Sequence, residues 1–294
     1  MGLIKKDFQL YNDISRIVLE DLTFSQLKID AAELYEIISN LLLNNENLFY
    51  YCTQRTSCRT LKETKKYVKK LISDKILNGE IETILKNLRW DKDSIDINST
   101  VFMGDLGEYL MNIIIETFDI SKILISKVSL KTSPSMPSYG NDNIFYDYDK
   151  NILYFGEAKF YKSTKNALNN AFDSIQEHLS NSNEISFIKN HTSTFVAEDG
   201  RILKKIEKRL ETININKISC TSITFIISDD NYEEDEYMNA ILDFAGTDEK
   251  NKYIKESIIV FLPVISKCDF LKYFKEKVMK LWKKMKVKST YMII

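Results

Sequence analysis

The order in which strand-like and helix-like segments follow one another after residue 100 constrains the fold most strongly. Amphipathic helical patterns occupy 104–118, 165–180 and 267–286, and apolar strand-like runs occupy 121–131, 143–149, 152–160, 223–228 and 257–264. Helical segments carry apolar residues at period 3.6, whereas the strand-like runs are short and rich in β-branched residues. Strands mixed with helices in this way indicate an α/β or α+β domain with a mixed central sheet.

The first 98 residues have a different pattern, which predicts a helical region ahead of this domain. The segments AAELYEIISNLLL at 31–43 and LKETKKYVKKLISDKI at 61–76 carry apolar residues at the spacing of amphipathic helices. The polar, turn-prone stretch at 91–100 is a candidate boundary. We therefore predict a helical N-terminal region at 1–98 and an α/β domain at 99–294.

Composition excludes several classes of function. The net charge is −1, so no overall field attracts the chain to nucleic acid or membrane, and such affinity must come from local patches. Neither histidine has a metal-ligand spacing to any of the four cysteines, so a structural zinc site is not expected. The N-terminal segment lacks the apolar core of a signal peptide, and the longest apolar run, 257–265, is too short to span a bilayer. A cytoplasmic protein without membrane association is expected.

Two charged residues interrupt the apolar segment ILYFGEAKF at 152–160. Glu157 and Lys159 are two apart, so in a strand they project from the same face, about 6.6 Å apart along the chain. A buried ion pair is a poor source of stability, so their presence indicates a function. If residues 150–151 form a two-residue turn, Asp142 lies opposite Lys159 and diagonal to Glu157. A three-residue connection would change this register.

Two carboxylates and a lysine on one patch of sheet suit the metal-dependent hydrolysis of a phosphodiester. Carboxylates about 4–6 Å apart repel by a few kcal/mol, and a divalent cation removes that conflict. Hard oxygen ligands select Mg²⁺ or Mn²⁺, and a lysine can position a water or offset phosphate charge. An acid-x-base triplet alone is a weak signal, because this composition produces about six by chance. The alternative is an edge strand whose Glu157 and Lys159 face water.

The order of elements resembles the PD-(D/E)xK nuclease superfamily: a helix with an inward glutamate, a strand, a strand bearing Asp, a strand bearing Glu-x-Lys, and a helix. More narrowly, GDLGEYL, YGNDNIFY and LYFGEAKFYKS followed by ALNNAFDSIQEHL resemble the HamA family, the nuclease subunits of bacterial Hachiman anti-phage systems. The resemblance covers residues 101–180. It implies that Asp142, Glu157 and Lys159 are catalytic, and that Glu108, Asp142 and Glu157 bind Mg²⁺ or Mn²⁺.

The chain departs from the superfamily pattern in two places, and one further residue is a candidate. Asn141 stands where the proline of the superfamily name is expected. Asp105, Glu108 and Asn112 lie opposite the apolar side of their helix, so a solvated helix face is an alternative explanation for Glu108. Gln176 falls where some relatives place a glutamine near the site, and an exposed helix residue is the alternative there.

Charged surface segments suggest where partners bind. Lys162 and Lys165 are placed to meet DNA phosphates or to solvate a loop, and the last helix carries nine lysines between residues 267 and 288. The acidic stretch 229–236 would repel DNA, and either faces solvent or contacts a basic partner.

These features together predict a Mg²⁺-dependent DNA endonuclease. The resemblance implies that it is the effector of a two-component defence system with a superfamily 2 helicase (HamB-like). The helical region at 1–98 is the predicted docking surface for that partner. The alternative is a non-catalytic subunit whose degenerate nuclease core binds nucleic acid or a partner protein.

Overall fold

The structure is a computed structural model. It describes residues 16–19, 22–28, 31–53, 74–90, 95–117, 123–126, 142–147, 152–180, 219–229, 234–245, 254–264 and 266–290. Within these ranges the strands are β1 (Arg16–Leu19), β2 (Leu22–Lys28), β3 (Ile123–Ser126), β4 (Asn143–Asp147), β5 (Ile152–Phe160), β6 (Ser219–Asp229) and β7 (Ile254–Val264). The helices are α1 (Ala31–Ile37), which continues as a π-helical turn (Ile38–Leu42), α2 (Asn45–Thr53), α3 (Asp74–Asn87), α4 (Thr100–Thr117), α5 (Thr164–Ser180), α6 (Glu234–Ala245) and α7 (Lys267–Thr290).

The seven described strands form one mixed sheet in the order β1-β2-β7-β6-β5-β4-β3. β2, β7, β6 and β5 run parallel to one another, whereas β1 pairs antiparallel with β2, and β4 pairs antiparallel with both β5 and β3. Parallel neighbours need crossover connections, and α5 and α6 lie in the connections from β5 to β6 and from β6 to β7. The mixed α/β architecture predicted from the sequence is confirmed.

The two faces of the sheet pack against different helices because side chains alternate along each strand. Tyr154 and Ala158 of β5 belong to the larger core, which includes α4 and α7. Ile226 of β6 belongs to the second core, formed with α5 and α6. Glu157 and Lys159 alternate with Ala158 and therefore project from the second face, under α5.

The N-terminal stretch is not entirely helical, which corrects the prediction for residues 1–98. β1 and β2 form an antiparallel pair, and β2 extends the sheet parallel to β7, with Thr23 opposite Glu256. The helix predicted at 31–43 is confirmed by α1 and its π-helical turn, whereas most of the helix predicted at 61–76 lies outside the described residues. β2 pairs with a strand more than 200 residues away, and local periodicity carries no signal for such a partner.

Helices α1–α3 share a core with α4 and α7. The Trp90 ring lies 5.5 Å from that of Tyr109 and 4.9 Å from that of Phe274, both at steep angles. The Trp282 indole donates a hydrogen bond to the Trp90 carbonyl at 3.1 Å, and the Tyr109 hydroxyl donates to the Leu42 carbonyl at 3.0 Å. The domain boundary near residue 98 stays a prediction, and buried contacts cross it.

The acidic stretch at 229–236 is not one loop. Asp229 ends β6 and accepts a hydrogen bond from the Lys267 backbone amide at 2.6 Å, at the start of α7. Helix α6 begins at Glu234, so Glu234, Asp235 and Glu236 lie in its first turn, where negative charge interacts favourably with the helix dipole, and residues 230–233 lie outside the described residues. Within the parts of the chain that the structure describes, no helix is both long and apolar enough to cross a membrane.

Candidate active site

The hairpin of β4 and β5 sets the position of Asp142. The last pairs of the hairpin are Asn143 with Gly156 and Asp147 with Ile152, so four residues connect the strands. The predicted two-residue turn is therefore wrong, and Asp142 lies level with Glu157 instead of Lys159. The register differs from the predicted one by two residues, and since side chains alternate with period two, Asp142 stays on the face that carries Glu157.

A backbone hydrogen bond fixes the Asp142 carboxylate. The Ala158 amide donates to Asp142 Oδ2 at 2.9 Å, immediately beyond the last backbone pair of β4 and β5. This contact brings the half-buried Asp142 to the position between Glu157 and Lys159 on the neighbouring strand.

Glu157 lies inside the protein. β5 is an interior strand between β4 and β6, and Glu157 is 3% exposed, so the alternative of an edge strand facing water is wrong. Its Oε1 accepts two hydrogen bonds, from Lys159 Nζ at 2.7 Å and from Ser174 Oγ of α5 at 2.8 Å. Lys159 is less buried, with 21% of its side chain exposed.

Burial and charge perturb both titrating groups. Burial, followed by the nearby negative charge of Asp142, raises the pKa of Glu157 to about 7, although Lys159 and Ser174 favour its ionised form. Burial alone would lower the pKa of Lys159, but the attraction of Glu157 and Asp142 outweighs it and raises that pKa. The carboxylates of Glu157 and Asp142 therefore both attract the positive charge of Lys159.

The second oxygen of Glu157 has an unusual environment. Oε2 is buried and, among the described residues, has no hydrogen-bond partner. Thr224 of β6 is the neighbour of Glu157 across the parallel ladder, is fully buried, and its Oγ1 also has no partner within the described part of the chain. An unpaired buried oxygen costs about 1–3 kcal/mol. The chemistry of these donors suits a hard divalent cation, because the ionised carboxylates of Glu157 and the nearby Asp142 both offer oxygen atoms.

Glu108 of α4 approaches the same two strands from the other face of the sheet. Gly107 lies against β5, since a Cβ atom at this position would be 3.4 Å from Ala158 Cβ, which is close to van der Waals contact. The Asn143 side-chain amide donates to the Glu108 carbonyl at 3.3 Å. These contacts place the Glu108 backbone beside the residue that follows Asp142.

The polar side of α4 is not a solvated face. Asp105 is 2% exposed, Asn112 is fully buried and Glu108 is half-buried, so the solvated-face alternative is wrong. Among the residues that the structure describes, however, no three His, Cys, Asp or Glu side chains form a group that could hold a metal ion. Glu108 is thus not gathered with Asp142 and Glu157, and its role as a metal ligand stays a prediction.

Ser174 is the site residue that sequence reasoning missed. Gln176, the predicted candidate on this helix, is half-buried, whereas Ser174 contacts Glu157 directly. The signal is helical spacing, since Ser174 lies three residues after the buried Ala171 and so borders the face of α5 that meets the sheet. At the start of α5, Lys162 is exposed and Lys165 is half-buried.

Fold and site define a mixed α/β protein with a carboxylate–lysine centre on an interior strand of its sheet. The sequence matches the model of the HamA family over residues 7–278. The chain therefore belongs to the HamA family, which associates it with Hachiman anti-phage defence. The match confirms the predicted family and extends well beyond residues 101–180. Among curated proteins, no sequence match is found.

Proposed function

We propose that this protein is a metal-dependent DNA endonuclease of the PD-(D/E)xK type. In this proposal it is the cytoplasmic nuclease subunit of a Hachiman system and acts with a superfamily 2 helicase. One observation carries the catalytic part: Glu157 Oε2 is buried without a hydrogen-bond partner among the described residues, next to the carboxylate of Asp142. Membership of the HamA family supports the role in defence.

In this proposal each residue of the centre has a separate role in hydrolysis. Asp142 and Glu157 Oε2 would hold Mg²⁺ or Mn²⁺, which when bound polarises a phosphoryl oxygen and acidifies a water. Lys159, held by Glu157 Oε1, keeps a positive charge that stabilises negative charge on the phosphate or orients the attacking water. Ala158 contributes its amide to hold Asp142, so the Glu-x-Lys triplet positions all three functional groups.

Exposed residues at two places in the structure suit contact with DNA phosphates. Tyr161 and Lys162 directly follow β5 and are exposed. The outer face of α7 carries exposed lysines, among them Lys280, Lys283 and Lys284. Because the whole chain has a net charge of −1, these local groups supply the attraction to phosphates.

A non-catalytic subunit is the second candidate. It is favoured by the absence, within the described residues, of a group of three side chains able to hold a metal ion. Such a subunit would use the same surface to bind DNA or a partner without cleaving it.

A cleavage assay distinguishes the two. We expect purified protein with its helicase partner and Mg²⁺ to cut DNA, and Glu157→Ala, Glu157→Gln or Lys159→Ala to reduce the rate by at least about 10³-fold, since several kcal/mol of charge stabilisation are lost. Glu177→Gln, an exposed position on α5, is the matched control and should cut normally. No cleavage by the wild type above the rate of the helicase alone would support the non-catalytic alternative, whereas wild-type rates in Glu157→Gln would remove Glu157 from the catalytic site.

A further inference from the structure

The two oxygens of Glu157 are not equivalent. Oε1 accepts hydrogen bonds from Lys159 and Ser174, whereas Oε2 has no partner among the described residues. A carboxylate rotates easily about its last bond unless its surroundings define which oxygen points where. A neighbouring group therefore holds the Glu157 carboxylate in one orientation, with Oε1 rather than Oε2 in the hydrogen bonds.

Lys159 alone is poorly suited to fix this orientation. Its ammonium group sits on a flexible four-carbon stem and donates in any of three directions, so it can follow either oxygen. Ser174 differs, because the carbon that bears its hydroxyl is bonded directly to the backbone of α5. That helix is fixed against the sheet by Ala171, Phe172 and Ile175, which are buried.

We propose that Ser174 is a positioning residue, whose hydrogen bond reserves Oε1 of Glu157 and so presents Oε2 as the metal ligand. The inference rests on the proposed metal-dependent function and deepens it. Ser174 touches neither metal nor DNA in this arrangement, and acts only through Glu157. Residues that orient a metal ligand in this way typically contribute about 10- to 100-fold to metal affinity or activity.

Substitution of Ser174 tests the proposal with little risk to the helix. Alanine has a higher helix propensity than serine, so Ser174→Ala keeps α5 while removing the donor. Ser174→Thr retains a hydroxyl at the same distance from the backbone. Asn170→Ala, one turn earlier and exposed, is the matched control because its side chain donates to the Asn166 carbonyl of the same helix and not to Glu157.

The readout is Mn²⁺ affinity of the full-length protein, measured by the electron paramagnetic resonance signal of free Mn²⁺ during titration without DNA. Binding that is absent in Glu157→Gln defines the site, so adventitious surface binding is subtracted. We expect Ser174→Ala to weaken this binding by about 10- to 100-fold. Ser174→Thr should restore affinity to near the wild-type value, and Asn170→Ala should match the wild type.

The outcomes separate this inference from the function on which it rests. If the wild type binds Mn²⁺ through Glu157 and Ser174→Ala binds equally well, the positioning role is wrong while the nuclease proposal stands. Weak binding in both Ser174→Ala and Ser174→Thr would also overturn it, because the hydroxyl would then not be the cause. If the wild type has no Mn²⁺ site that depends on Glu157, the proposed function fails as well.

Discussion

The backbone amide of Ala158 donates a hydrogen bond to the side chain of Asp142, 2.9 Å away on the preceding strand. An acidic group immediately before β4 is thereby fixed to the backbone of β5 between Glu157 and Lys159. Its position depends on this contact, whereas its proposed function depends on its charge. The two properties can be changed independently.

The first prediction separates them. Asp142→Asn keeps an oxygen that can accept the Ala158 hydrogen bond, so we expect a melting temperature close to that of the wild type. The loss of a charged ligand should still abolish DNA cleavage, as measured with the helicase and Mg²⁺ present. Asp142→Ala should lose both activity and some stability, about 1 kcal/mol for the missing hydrogen bond. Cleavage by Asp142→Asn at the wild-type rate would remove Asp142 from the site.

The second prediction concerns metal dependence. The protein should be inactive in excess chelator, and Mg²⁺ or Mn²⁺ should restore cleavage, whereas Ca²⁺ should bind without supporting turnover. Metal binding to the folded state should also raise the melting temperature by mass action. Calorimetry with and without each ion measures this shift, and Glu157→Gln should not show it. Full activity in excess chelator would contradict the proposed mechanism.

The third prediction follows from the pKa of Glu157, which is raised to about 7 in the folded protein from an ordinary value of 4.5. The folded state then holds this proton more tightly than the unfolded state, so the group reduces stability as pH rises from about 4.5 to about 7. In metal-free protein, the free energy of unfolding of the wild type should fall over this window relative to Glu157→Gln, by on the order of 1–3 kcal/mol. Urea titrations between pH 4 and 8 provide the measurement. A constant difference across that range would contradict the raised pKa.

The main elements of this centre could be predicted from the sequence because each depends on a local pattern of apolar and polar residues. The long apolar runs of β5, β6 and β7 and the helical repeat of α5 are each readable within a dozen residues. The pairing of β2 with β7 was not predictable in this way, since it joins distant segments. The predicted length of the connection between β4 and β5 was wrong for a similar reason. The length of a hairpin connection depends on how the two strands pair, and local composition specifies that pairing only weakly.

Burial of Glu157 and the contribution of Ser174 were harder to predict. Glu157 is buried because β6 and α5 enclose β5, and both arise from packing between segments that follow it in sequence. Ser174 is a common residue at an ordinary helix position, and only its contact with Glu157 distinguishes it. A side chain whose function depends on one tertiary contact has no signature in a single sequence.

The fourth prediction uses the cysteines as probes of burial. Burial raises the pKa of the Cys52 thiol well above its ordinary value, so little reactive thiolate forms at pH 8. Cys268, at the start of α7, is exposed. Iodoacetamide followed by peptide mass spectrometry should therefore label Cys268 much faster than Cys52 in the folded protein, and at similar rates in urea. Faster labelling of Cys52 in the folded protein would contradict the packing of α2.

The fifth prediction concerns control by a partner. With a net charge of −1, the chain alone should bind and cut DNA weakly, and cleavage should require the helicase and ATP. Deletion of residues 1–98 is a poor test of docking, because it removes Trp90 from a shared core, and loss of one such side chain costs about 3–5 kcal/mol. Strong cleavage by the isolated chain would show that control lies elsewhere.

Point substitutions test the docking surface without unfolding the protein. Ile76 on α3 is 57% exposed and Leu242 on α6 is 47% exposed, so each can be replaced by glutamate at small cost to the core. If the N-terminal helices contact the helicase, Ile76→Glu should reduce co-purification and Leu242→Glu should not. The reverse result would move the interface to the other side of the sheet.

Every second residue at the end of β5 is more exposed than the one before it, from the buried Glu157 through the partly exposed Lys159 to the exposed Tyr161. Helix α5 lies over the sheet at Glu157, where Ser174 contacts the carboxylate. In the proposed reaction the DNA backbone therefore enters from the carboxyl end of β5, where Asp142 begins the neighbouring strand, and meets the lysine before the glutamate. The expected path of the substrate thus runs along β5 towards the buried carboxylate of Glu157.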